Sequence, residues 1–144
     1  MAAPLRVLVV DDEEDFRETL IKRLRARRLD AHGSASGQSA LDLMEKMVFD
    51  VVVLDVKMPG MDGITALEQM KKKAPLVEAI LLTGHASVEA GIEGMKLGAF
   101  DYLSKPCNID NLMAKLQEAK ELKRKREEKI TQARIKEIAM RRGE

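Results

Sequence analysis

Tryptophan is absent from the 144 residues, and the aromatic complement is three Phe and one Tyr. A core must therefore be built from aliphatic side chains and the nine Met. Stacking on nucleic-acid bases has almost no side chains to use. The only cysteine, Cys107, cannot close an internal disulfide and excludes a cysteine-based metal cluster. It reads as a small, partly buried residue of a protein in a reducing compartment. No run approaches the roughly 18 apolar residues of a membrane span, and the apolar part of "MAAPLRVLVVDDEED" is too short for a secretory signal. A cytoplasmic protein without a membrane partner is expected. A Gly-rich loop after the first apolar run is also missing, which removes a dinucleotide-binding reading.

The length suits one domain with an extension, with enough chain to bury a core without staples. A formal charge of +1 conceals an asymmetry. Residues 120–144 hold ten Lys and Arg against five Asp and Glu, whereas residues 1–119 hold fifteen against nineteen. We therefore divide the chain into a domain over 1–119 and a basic helical extension over 120–144.

Hydrophobic periodicity predicts alternating strands and helices. Leu5–Val10 reads as a buried strand, followed by an amphipathic helix from "DDEED" to about Arg28. Ala31–Ser34 is a weak second strand, and Ser36 or Gly37 can cap a helix over Ser39–Met47. Val51–Leu54 is a third strand, apolar on both faces, and Ile64–Lys73 a third helix. "VEAILLTG" is the fourth strand, with a helix capped by Ser87 and running to Lys96. "FDYLSKP" is the fifth strand, and a last helix begins near Ile109 and runs past Ile138. Strict alternation implies an α/β fold, a doubly wound five-stranded parallel sheet with helices on both faces. With right-handed crossovers, the flavodoxin-like order 2-1-3-4-5 places the first and third strands together at a switch point, where ligands bind at the carboxyl ends.

The residues at those carboxyl ends are Asp11 and Asp12, Asp55, Thr83 and Lys105. Three carboxylates in one crevice repel one another, and a divalent cation resolves the repulsion. Oxygen donors without His or Cys favour Mg²⁺ or Mn²⁺. Lys105 adds a positive charge for a phosphoryl oxygen and Thr83 a hydroxyl donor, so the set describes a phosphoryl-group site. Asp55, alone at the end of the central strand, is the candidate nucleophile for an acyl phosphate. Taken singly, each feature has a plainer meaning. Asp-Asp before a helix is commonly an N-cap with first-turn acids, and "MPGMDG" is a turn. Their joint placement favours the site.

These residues, "VVDDEE", "VVLDVKMPGMDG", "LLTGHAS" and "DYLSKP", fall in order and together resemble the receiver domain of bacterial two-component response regulators over about residues 5–118. The resemblance implies that Asp12, Asp55 and the backbone carbonyl of Lys57 ligate Mg²⁺, with Asp11 acting through a water. It implies that Asp55 is the phosphorylation site, charged by a histidine kinase or phosphotransfer protein. Lys105 would contact the phosphoryl group, Thr83 would move to hydrogen-bond it, and Tyr102 would change rotamer. A cis peptide at Lys105–Pro106 and a phosphorylation-linked homodimer through the fourth helix and fifth strand are further expectations. The output surface would lie near helix 4, strand 5 and helix 5, and the domain would catalyse its own phosphorylation and dephosphorylation. "LLTGHAS" and the helical tail are similar to receivers of enhancer-binding activators, so a receiver cut from a longer transcription activator is one alternative. An unphosphorylated adaptor is another. An aspartate-nucleophile phosphatase would carry a second Asp two residues after the nucleophile, where Lys57 stands.

Outside the site, His85 is a candidate for influencing the water that hydrolyses the acyl phosphate. Gly91 and Gly94 inside the fourth helix make it either pliable or closely packed on a neighbour. The tail's "KELKRKREEK" has one apolar residue, Leu122, and one acid-first i,i+4 pair, Glu121–Lys125. A solvated helix, a dimerising coiled coil and a partner-binding helix all fit it. Direct nucleic-acid binding by this basic run is not expected, because no aromatics and no DNA-binding fold accompany it.

Overall fold

The computed structural model describes residues 3–84 and 88–142. Five strands and five helices alternate: β1 (Arg6–Val10), α1 (Glu14–Ala26), β2 (Asp30–Ser34), α2 (Gly37–Lys46), β3 (Val51–Asp55), α3 (Gly63–Lys73), β4 (Glu78–Thr83), α4 (Val88–Lys96), β5 (Asp101–Ser104) and α5 (Ile109–Arg141). All neighbouring strands are parallel, in the order β2-β1-β3-β4-β5. The expected doubly wound architecture is therefore the observed one. The expectations placed on His85 and on a Ser87 cap lie outside the described residues.

Alternation along the strands builds two cores. Val7, Val9, Val51, Val53, Ile80 and Leu82 face α1 and α5. Leu8, Val10, Val52, Leu54 and Leu81 face the layer of α2 and α3. Every residue of β3 is buried, which is why that strand is apolar without interruption until its last position.

Local chemistry sets the element ends. Ser36 caps α2, its side chain accepting the Ser39 N–H, and the helix begins at Gly37, two residues before the expected start. Asp62 does the same for α3 through the Thr65 N–H. Helix α1 stops at Ala26 rather than Arg28, because Arg28 turns to φ +67°. Its N–H then donates to the Arg25 carbonyl and that of Leu29 to the Leu24 carbonyl, a Schellman closure that tucks Leu29 beside Leu24. The Lys105–Pro106 peptide is cis, as the resemblance implied.

Helix α5 runs for 33 residues. Leu112, Leu116 and Ala119 are buried on the sheet, whereas Ile130, Ile135, Ile138 and Met140 are exposed. Glu121 pairs with Arg124 at 2.6 Å instead of forming the expected pair with Lys125. The three-residue spacing suits the longer, forked guanidinium, which also reaches Glu128 at 2.9 Å.

Candidate functional site at the carboxyl edge of the sheet

The strand register assembles the site. Val10 pairs with Leu54, so the next residues along each strand, Asp11 and Asp55, emerge side by side. Thr83 pairs with Ser104, placing Lys105 one step beyond the end of β5. Asp11 and Asp55 have the parity of Val9 and Val53, toward the α1 and α5 layer. Thr83 has the parity of Leu81, toward the opposite layer.

Asp11, Asp12 and Asp55 each offer a carboxylate oxygen, and the three lie within 4.8 Å of one another. Asp11 and Asp55 are buried and Asp12 is exposed, leaving the cluster open on one side. Such a donor set fits a hard divalent cation, and its acids are strained without one. Burial foremost, then the neighbouring Asp11 charge, raises the Asp55 pKa from 3.8 to about 6. Lys105 and the Lys57 N–H offset part of this rise, and Asp12 adds to it. The Lys57 N–H donates to Asp55 Oδ1 at 3.3 Å.

Lys105 stands among the acids. Its Nζ is 2.6 Å from Asp11 Oδ2, 3.2 Å from Glu13 Oε1 and 3.6 Å from Asp55 Oδ2. The contact with Asp11 is close but poorly directed, so that Oδ2 has charge compensation without a well-formed hydrogen bond. Burial pulls the lysine's pKa down, but Asp11, Asp55 and Glu13 outweigh it and raise it on balance. The ammonium also lies 4.5 Å from the centre of the Phe16 ring. A cleft of about 180 Å³ opens here, lined by Glu13, Asp55, Lys57, Gly84 and Lys105.

Every expected site residue lies at this edge except Tyr102, which pairs with Leu81, two strand positions back from Thr83. The Thr83 hydroxyl is 3.5 Å from the Leu103 carbonyl, its hydrogen-bond partner. Tyr102 is 39% exposed, and its ring rests against Gly91 of α4. Two residues that hold Lys105 were not anticipated, Glu13 and Phe16. Glu13 occupies the N-cap position of α1 without using its side chain as a cap, which leaves the carboxylate free to face the lysine. The plainer reading of the Asp pair as an N-cap with first-turn acids does not hold: Glu13 is the N-cap, the first-turn acids are Glu14 and Asp15, and Asp11 Oδ1 accepts the N–H of Glu13 itself at 2.9 Å, ahead of the helix.

A helix crossing a membrane would need length and apolarity that no described helix has. The chain spans about a quarter of the length of the curated relatives it matches. Regulatory protein AtoC of Escherichia coli (strain K12) is 38% identical over 128 residues, covering 89% of this chain and 28% of that protein. A response regulator receiver domain protein from Clostridium thermocellum superposes with a TM-score of 0.80 at 31% identity, over 83% of this chain and 97% of that one. The receiver domain of NtrX from Brucella abortus superposes with a TM-score of 0.77 at 29% identity, covering 80% and 98%. The pattern of the response regulator receiver domain matches residues 7–117, spanning β1 to α5 and all the carboxyl-edge residues described above. The chain belongs to the response regulator receiver domain family, the phosphorelay signalling domains of two-component systems.

Proposed function

We propose that Asp55 accepts a phosphoryl group from the phosphohistidine of a histidine kinase or phosphotransfer protein in the cytoplasm. A carboxylate oxygen of Asp55 attacks phosphorus, the P–N bond breaks, and its electron pair returns to the imidazole of the donor. The product is an acyl phosphate on Asp55, which water later hydrolyses to carboxylate and inorganic phosphate. The observation that carries this reading is the cleft where a buried carboxylate, two further acids and the Lys105 ammonium converge.

Asp12, Asp55 and the Lys57 carbonyl are the proposed ligands of Mg²⁺ or Mn²⁺, with Asp11 acting through a water. The cation, when bound, neutralises charge on the transferring group. Lys105 exchanges its contact with Asp11 for a phosphoryl oxygen. Thr83 leaves the Leu103 carbonyl to donate to another, and Tyr102 follows by changing rotamer. The output surface is the face of α4, β5 and α5, where Ile92, Met95 and Tyr102 are exposed, and a phosphorylation-linked homodimer would form there.

The domain itself spans residues 1–119, followed by the basic extension 120–144. The length of the relatives favours one particular context, in which this receiver controls the remaining domains of a transcription activator. Nucleic-acid contacts would then belong to those domains.

Intact mass after incubation with Mg²⁺ and acetyl phosphate tests the reading. One phosphoryl adduct is expected, lost in Asp55→Ala and with EDTA. A folded, Mg²⁺-binding protein without the adduct would overturn the chemistry and favour the adaptor.

A further inference from the structure

The buried stripe of α5 does not end where its apolar residues do. Leu112, Leu116 and Ala119 recur at intervals of four and three, and the same rhythm continues to Lys123, Arg126 and Ile130. The first three lie on the sheet and are fully buried. Lys123 and Arg126 arrive where the sheet has ended, and each meets an acid at the amino end of a strand. Lys123 Nζ is 3.1 Å from Asp50 Oδ1, and Asp50 immediately precedes β3. Arg126 Nη1 donates to Glu78 Oε1 at 2.5 Å, and Glu78 opens β4.

This edge is built rather than incidental. Glu78 is 1% exposed, so its carboxylate requires a partner, and Arg126 provides one. The Lys123 side chain is 13% exposed, as low as that of Lys105. Asp50 is fixed from its other side, where Oδ2 accepts the Arg6 N–H at 2.9 Å. The Glu78 N–H in turn donates to the Asp50 carbonyl at 3.2 Å, so the two acids form one unit. Lys71 closes the base of this unit with its ammonium on the Val77 carbonyl at 2.7 Å, and Glu127 steadies Lys123 from within the helix at 3.0 Å.

We propose that Asp50 and Glu78 form a receptor for Lys123 and Arg126 that locks the root of the helical extension, so that the receiver sets the direction in which residues 127–142 leave it. The two strands that carry this receptor end at Asp55 and Thr83. The extension is thereby anchored to the strands of the carboxyl-edge site, not to α4. Any partner or further domain reached through the extension is oriented by these two ion pairs. The inference is independent of whether Asp55 is phosphorylated.

The test uses the full chain. Spin labels at Gln69→Cys and Lys136→Cys, in a Cys107→Ser background, report the direction of the extension by dipolar distance distributions. Hydrogen exchange of amides 120–130 reports the hold on its root. Lys123→Gln combined with Arg126→Gln changes only helix residues, and Glu78→Gln changes the receptor. Both are expected to broaden a narrow distance distribution and to speed exchange over 120–130 at least tenfold, with β1 and β3 amides still protected. An unchanged distribution and unchanged exchange in the helix variant would overturn the lock. So would acceleration spread evenly over the sheet, which would mark a general loss of stability.

Discussion

Asp55 illustrates how a buried carboxylate beside other acids strains the fold that holds it. Its pKa is raised from 3.8 to about 6, so the folded protein keeps a proton that the unfolded chain has already released. Its contribution to stability is fully present below pH 3.8 and is lost as pH rises through about 6. Asp55→Asn removes that loss. In metal-free buffer at pH 8 the variant should be more stable than the parent, by at most about 3 kcal/mol at about 1.4 kcal/mol per pK unit. At pH 4 the advantage should nearly vanish. Added Mg²⁺ should stabilise the parent by mass action and leave the variant almost unmoved, closing the gap at pH 8. Urea midpoints at the two pH values, with and without Mg²⁺, check all three expectations; equal midpoints at pH 8 in metal-free buffer would show that the acids are not strained. The acids, Thr83 and Lys105 were legible in the sequence because each is a polar residue ending an apolar strand. Glu13 and Phe16 were not, since an acid in "DDEED" and an apolar residue on an amphipathic helix already have local explanations. Only the fold shows both converging on Lys105.

Among the elements, α4 carries two glycines that the structure separates by their surroundings. A Cβ on Gly94 would stand 2.1 Å from Leu81 Cδ1, in a core where Leu81 is fully buried. Gly94→Ala would gain about 1 kcal/mol of helix propensity. Overpacking against Leu81 costs about 1–3 kcal/mol and should win, giving net destabilisation. At Gly91 the added methyl would meet the Tyr102 ring at 3.2 Å, and that ring is partly exposed and can give way. Gly91→Ala should leave the urea midpoint nearly unchanged while displacing the ring. Because Tyr102 is the only tyrosine and tryptophan is absent, intrinsic fluorescence reads this one position directly. A Gly91→Ala protein with parental tyrosine fluorescence would mean that α4 does not restrain the ring. Close packing thus gives these glycines a reason that periodicity could not distinguish from pliability. The element order itself was legible, because fully buried β3 and β4 leave unbroken apolar runs. The ends of α1 and α2 were less so, since Arg28 at positive φ and a helix beginning at Gly37 break local preference.

Over the whole molecule, the sequence suggests a boundary after Ala119, where the apolar stripe that packs the domain gives way to the basic run. Burial alone supports that reading, but charge pairing does not stop there. Lys123 and Arg126 compensate acids at the foot of β3 and β4, a role invisible while the helix is read for apolar residues only. Chain truncation separates the two descriptions. A chain ending after Glu128 keeps both ion pairs and loses only exposed helix, so its urea midpoint should match the full chain to within about 0.5 kcal/mol, the usual scale of surface changes. A chain ending after Ala119 leaves Glu78 buried with only Lys71 near it. Removing one member of a fully buried pair costs about 3–5 kcal/mol; here only Glu78 is buried and Arg126 is half exposed, and with the remaining lysine and water entering the opened edge the cost should fall to about 2 kcal/mol. Burial raises the Glu78 pKa even with its cations present. In the shorter chain the raise should grow, so its deficit should shrink as pH falls toward 5 and Glu78 takes up a proton. Urea denaturation of the three chains at pH 8 and pH 5 measures this directly. Equal midpoints for the two truncated chains would place the energetic end of the receiver at Ala119, whereas the expected ordering places it beyond Arg126.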